Sequence, residues 1–411
     1  MPSEFFKSRT RIQALRDDPA GPLLESFAQA LSERGYAAIT ARRHLRAAEH
    51  FIHWTDRHGM PVRKWNKQTL AGFDCHLSRC HCLHYTPMQK LRAAYGAHLF
   101  LTYLRDARII TLSSVEPTVH DPALLLAFRQ WMRRQRGTED ATLYNYSSYI
   151  RELLQRLGEE PSRFDARGLR AFVLEKSRSC ARGTAKNCAA ALRMFLRFLI
   201  AEGQCAVGLD AAIPTVAHWR LASLPRYLPP KDVERLITSC DRTSAVGRRD
   251  RAILLLLARL GLRAGDIAHL RLSDVDWKGA SILVCGKGRH QTRLPLSQEV
   301  GQAIVAYLKK DRPRTNADTL FVGSRAPFCA FSPGAVTRVV DRLLRRTGVV
   351  RPSRGAAHLL RHALATSLLR QGTSLQDIAA ILRHSSIETT QIYAKVDVPS
   401  LRQIAQPWPE V

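Results

Sequence analysis

At 411 residues the chain exceeds one ordinary domain, and its 45% apolar content supplies cores for two or three. Its 63 Lys and Arg against 35 Asp and Glu leave a formal charge of +28, which points to a polyanionic partner, because a surface charged only for solubility mixes the signs more evenly. The uninterrupted apolar run Ala252 to Ala258 is far short of the roughly 20 residues of a membrane helix, and the opening MPSEFFKSRTRIQ has no secretory apolar region, so a cytoplasmic protein with no membrane partner is expected.

In chain order, residues 1–114 read as a helical domain. DPAGPLLESFAQAL from Asp18 matches DPALLLAFRQWM from Asp121, with Phe27 and Phe128, and Gln29 and Gln130, in like places; FLTYL from Phe100 parallels FLRFL from Phe195. The first segment is therefore read as a diverged repeat of the next, against the alternative of chance likeness between amphipathic helices. Whether it binds a further stretch of the polyanion, extends a clamp or joins protomers is left open. Cys75, His76, Cys80, His81, Cys82 and His84 crowd into one short stretch, and four of them could ligate zinc. With no Cys-x-x-Cys pair and no second half-site beside them, no metal is predicted. The nine cysteines are scattered and odd in number, so disulfides are not expected.

The stretch TLSSVEPTVHD separates this segment from a second helical domain at 118–212. There Ala189, Leu192, Phe195, Leu196 and Leu199 form a stripe of helical period, while Lys176, Arg178, Arg182, Lys186, Arg193 and Arg197 occupy the other faces. Arg178, Arg182, Lys186, Arg193 and Arg197 are candidates for contact with a DNA groove, the plain alternative being a solvated face. Pro214, Pro225, Pro229 and Pro230 mark a linker at 213–228 and the start of a last domain at 229–411.

In that domain Arg263 lies at a helix boundary, because Gly261 breaks one helical run and a second begins near Ala264. Two strand-like runs flank Gly286-Lys287-Gly288, which predicts a hairpin with Lys287 at or near its tip. In HLLRHALAT, His358 and Arg361 are three apart in a helical pattern and share a face, so both can grip one phosphate. His384 precedes a short helix capped by Ser385 or Ser386, and Tyr393 sits at its far end. His269 and His362 are read as packing residues.

Arg263, Lys287, His358, Arg361, His384 and Tyr393, in this order and spacing, resemble the catalytic domain of the tyrosine recombinases, the phage integrase and Xer-like family, from Pro229 to Val398. The resemblance implies a fold that is mainly α with a small β-sheet in the catalytic domain: helical N-terminal domains, the second a four-helix core-binding (SAM-like) domain, plus an α+β catalytic domain. It implies that Tyr393 is the nucleophile, that Lys287 is the general acid on a mobile hairpin, and that Asp266 supports the site. Arg383 departs from the family, which commonly has glycine there; the change adds charge and removes no catalytic group. The implied tail, with Leu401, Ile404 and Trp408, docks on a neighbouring protomer or folds back on its own domain.

The residue types suit one another. A phenol with a pKa of about 10 attacks well only if a neighbouring imidazole takes its proton, and guanidinium groups can hold the charge that builds on the non-bridging oxygens of a phosphodiester. A phosphotyrosine conserves the bond energy, so no cofactor is expected. Residues Gly279 to Gly288 lack phosphate-loop spacing, and no His-Glu-x-x-His metal motif is present. The expected partner is double-stranded DNA, bound by a homotetramer on two duplexes, alone or together with related recombinases. The middle domain and the catalytic domain are expected to close on the duplex from opposite sides. A non-catalytic DNA-binding protein of the same fold, or a type IB topoisomerase, is the alternative.

Overall fold

The computed structural model describes residues 13, 20–82, 90–110, 121–217, 224–286, 291–352, 355–384 and 386–396. It divides into two compact units: one spans 112–222, and the other holds 1–111 together with 223–411. The architecture is the mainly helical one expected, with its small sheet in the last third of the chain.

The second unit opens the chain with α1 (Gly21–Glu33), α2 (Ala38–Arg57), α3 (Lys67–Ser78) and α4 (Lys90–Asp106). Asn66 starts α3 by a reciprocal cap: its side chain accepts from the backbone of Gln68 and Thr69 while Thr69 accepts from its own N–H. Buried Phe27, Phe51, Phe73 and Phe100 form the centre of this bundle, with Trp54 and Trp65 beside them.

The unit at 112–222 comprises α5 (Ala123–Arg136), α6 (Asp140–Leu157), α7 (Ala166–Ser179) and α8 (Arg182–Ala201). Asp165 caps α7 by accepting from Gly168 N at 2.6 Å. The predicted stripe of α8 is buried throughout, and Phe195 meets Phe128 edge to face at 5.5 Å. The two bundles share an element order, down to a short 3-10 turn between second and third helices, at Val62–Lys64 in one and Pro161–Arg163 in the other. In each, the fourth helix packs on the second and third. Phe27 and Phe100 touch at 5.0 Å, as Phe128 and Phe195 do, so the residues paired by sequence occupy like places in the two cores.

The last region continues with α9 (Pro230–Thr238), α10 (Ala245–Arg259), α11 (Ala264–His269), strands β1 (Val275–Asp276), β2 (Ser281–Cys285) and β3 (Gln291–Pro295), then α12 (Gln298–Lys310), α13 (Pro333–Thr347), α14 (Ala356–Arg370) and α15 (Leu375–Leu382). Ile253 to Leu257 on α10 are all fully buried, as a helical stretch apolar on every face must be, and this part of α10 belongs to the core. The sheet is antiparallel in the order β1-β2-β3, with Leu283 opposite Arg293. The predicted hairpin is present: pairing runs to Cys285 and Gln291, and Lys287 belongs to its connection, outside the described residues.

Gly261 has φ +58, a left-handed conformation that ends α10, and a Cβ there would stand 2.7 Å from Leu382 and 3.0 Å from Leu364. Glycine thus both turns the chain and lets α14 and α15 close on the end of α10. Within the same unit, Gly35 of the first bundle plays a comparable part, since a Cβ on it would meet the Phe328 ring at 2.6 Å. Among the described residues no helix is long and apolar enough to cross a membrane.

Candidate active site

Arg263 stands at the N-cap of α11, where its backbone N–H donates to Asp266 Oδ2 at 2.9 Å and its Nη2 to the carbonyl of Arg383 at 3.3 Å. Burial lowers its pKa, Asp266 opposing the shift and Arg383 adding to it. Arg361 projects from α14, one turn beyond His358, and is 3% exposed. Its Nη1 donates to the carbonyl of Gly261 and its Nη2 to that of Leu382, so the end of α10 and the end of α15 hold the guanidinium between them. Burial, followed by the Arg263 and Arg383 charges, brings its pKa down to about 9.

Arg383 is drawn into the same cluster. It ends α15 in the left-handed region, φ 53, which explains why a glycine suits this position and why an arginine here is strained. Its Nη2 donates to Asp266 at 2.6 Å, both side chains being nearly inaccessible. Among the described residues no acceptor reaches its Nε or Nη1. Buried guanidinium donors ordinarily have partners. Arg263, Arg361 and Arg383 therefore interact through their charges with Asp266 as the carboxylate among them, and donors remain for an anion.

Tyr393 lies in a 3-10 turn, Gln391–Val396, that follows another at Ile387–Thr389, capped by Ser386 as expected. The ring is 1% exposed and packs with Ala365, Leu369, Ile378 and Leu382. Burial raises the phenol to about 12, with the Arg361 charge opposing. Its hydroxyl meets His362 Nδ1 at 2.7 Å. Burial, then the charges of His358 and Arg361, lower His362 to about 4, so at neutral pH this imidazole is uncharged and accepts the phenol's hydrogen bond. The packing role read for His362 is thus corrected: it is the hydrogen-bond partner of the phenol. His269 is corrected too, since it is exposed at the end of α11 with Nδ1 2.7 Å from its own helix at Gly265 O.

His384 is half-buried, and its Nδ1 is 2.7 Å from the hydroxyl of Thr390, itself fully buried. Thr390 fixes this ring and was not singled out in the sequence; its only signal is its place three residues before Tyr393. His358 is exposed on α14. Arg263, Asp266, Arg361 and Arg383 are thus brought together, His358 and Tyr393 are joined to them through α14 and its neighbours, and Lys287 is not described.

The five candidate DNA contacts fare unequally. Arg178, Arg182 and Lys186 are exposed. Arg193 donates to Ile213 O at 3.0 Å and Arg197 pairs with Asp210 at 3.0 Å, so these two tie α8 to the turn that follows it.

A sequence model described as the phage integrase family matches residues 226–399. Over 409 residues the chain is 35% identical to y4rA of Sinorhizobium fredii, a protein named for integrase/recombinase activity, covering 96% of this chain and 97% of that one. It is 28% identical to the tyrosine recombinase XerC of Thermodesulfovibrio yellowstonii over 67% of this chain and 93% of the relative. A crystal structure of a lambda integrase dimer bound to a core site is 18% identical, covers 70% of this chain and 97% of its own, and superposes with a TM-score of 0.53, which bears on the fold.

Proposed function

Given that the chain belongs to the phage integrase family, the tyrosine recombinases, and is a site-specific DNA recombinase, we propose that it cuts and rejoins DNA through a 3′-phosphotyrosine at Tyr393, in the service of a mobile element. The observation that carries this reading is the trio of half-buried Arg263 and the nearly inaccessible side chains of Arg361 and Arg383 around one carboxylate, Asp266. Such a surplus of positive charge is costly to bury unless an anion completes it.

A DNA phosphate supplies that anion. Guanidinium donors take its non-bridging oxygens and stabilise the charge that grows as the phenolic oxygen attacks phosphorus. The Tyr393 proton passes to an imidazole; His362 is hydrogen-bonded to it in the structure, and His358 and His384 are the family's positions for assisting at the phosphate. The O5′–P bond breaks, and Lys287 gives the leaving oxygen its proton. A 5′ hydroxyl from another strand then attacks the phosphotyrosine, reversing each transfer, so no cofactor enters the balance. Because the phenol is buried and its pKa is about 12, the ring must leave its apolar seat, or be brought beside Arg361 by DNA, before attack.

Arg178, Arg182 and Lys186 serve as DNA-backbone contacts of the middle unit, which their exposure supports. Four protomers on two duplexes accomplish exchange. A suicide substrate built from DNA flanking the encoding gene tests this: a nicked duplex should trap a covalent complex whose DNA is joined at its 3′ end. Cleavage that leaves a free 3′ phosphate, with no adduct at any time, contradicts the reading.

A further inference from the structure

We propose that the first helical bundle holds a single structural zinc ion through His50, His76, Cys80 and Cys82. The sequence left these cysteines without a second half-site because the missing ligand comes from another helix. His50, 3% exposed on α2, is brought against the end of α3, which carries His76, and against the turn beyond it, which carries Cys80 and Cys82. One donor atom from each of the four lies within 4.8 Å of all the others.

The geometry fits one tetrahedral ion. With Zn–S near 2.3 Å and Zn–N near 2.05 Å, a tetrahedral angle places sulfur and nitrogen about 3.6 Å apart. Cys80 Sγ is 3.5 Å from His50 Nε2, and Cys82 Sγ is 3.6 Å from His76 Nε2. The two imidazole rings stand with centroids 5.5 Å apart and at a steep angle, which leaves space between them for an ion. Pairs of thiol–imidazole hydrogen bonds could produce similar distances, and metal binding is what separates the two readings.

The donor set also selects the ion. Two sulfurs and two nitrogens in a tetrahedron suit zinc and exclude the hard cations that need oxygen. Binding replaces two thiol protons by the ion, Zn²⁺ + 2 RSH giving Zn(SR)₂ + 2 H⁺, and the neutral imidazoles leave the site without net charge. That suits its half-buried position. Cys75 is exposed and outside the set, as is His81, while His84 is outside the described residues.

The ion's place in the fold suggests its work. In the bundle at 112–222, α7 ends at Ser179 and α8 begins at Arg182, a connection short enough to need no staple. In the first bundle α3 ends at Ser78 and α4 begins only at Lys90. A zinc tied to α2 pins the start of that longer connection to the core.

The test uses the full-length chain without a polyhistidine tag, purified from zinc-replete cells. Metal analysis should give about one zinc per chain, and replacement by cobalt(II) should give the intense visible bands and sulfur charge-transfer absorption of a tetrahedral thiolate site. Cys80→Ser with Cys82→Ser should lose the zinc, and Cys75→Ser should keep it. Should the double variant fail to fold, the cobalt spectrum of the wild-type chain still decides. Wild-type protein with no stoichiometric metal and no cobalt spectrum overturns the proposal, as does full zinc retention in the double variant.

Discussion

Among the described residues of the helical unit at 112–222 the buried polar residue is Ser147, whereas those from 230 to 396 include buried Arg249, Asp250, Asp266 and Arg361. Both regions are rich in arginine, but the first sets its cations in exposed or half-buried pairs such as Arg133 with Asp140, Arg156 with Glu175, and Arg129 and Arg151 with Asp121. The second takes guanidinium groups out of water. Part of that burial is balanced within the fold: Asp250 pairs with both Arg249 and Arg342. Around Asp266 it is not among the described residues: Arg383 pairs with this carboxylate, while Arg263 and Arg361 feel its charge but place their guanidinium donors on backbone carbonyls. Buried charge that the fold balances is architecture, and buried charge left in surplus marks where a charged partner is to enter.

This contrast can be broken most sharply at Arg361. Arg361→Ala should lower the rate of strand cleavage by about 100- to 1,000-fold, since one preorganised donor is lost, while DNA affinity falls far less. Single-turnover cleavage beside a binding isotherm checks it. Arg383→Gly comes next: it relieves the left-handed strain but removes a donor for a charged ligand, and cleavage should fall about 10- to 100-fold. An unchanged rate would assign Arg383 to architecture instead.

A smaller effect is expected in the middle unit, where charge is superficial. Reversing Arg182 and Lys186 to glutamate should leave the melting temperature unchanged and reduce the slope of log affinity against log salt by about 2. If affinity and slope both stay put, these residues form a solvated face. The smallest effect concerns His362. Its folded pKa of about 4 lies below the unfolded value of about 6.5, so its contribution to stability is complete above pH 6.5 and is lost as pH falls toward 4. His362→Gln should flatten the acid limb of the stability profile, measured by denaturant melts across that window.

How far the site was legible follows from sequence distance. Arg263 with Asp266, and His358 with Arg361, are neighbours on single helices, and three-residue spacing places them without a tertiary model. The likeness of the two helical bundles was suggested for the same reason, since Phe27 and Phe128, then Phe100 and Phe195, stand in similar local patterns. His362 was missed because its partner Tyr393 is 31 positions away, and an imidazole in an apolar helix looks like packing. His50 was missed likewise, 30 positions from Cys80. Arg383 was visible only as a departure from glycine; that its backbone is left-handed and its side chain turns onto Asp266 required the fold.

The most direct measurement of the central claim is covalent trapping on a nicked suicide substrate by the wild-type chain and by Tyr393→Phe, with DNA binding measured in parallel. The account predicts a protease-sensitive 3′ adduct with the wild-type chain and none with the variant, at comparable affinity. An adduct of equal yield from Tyr393→Phe would contradict it.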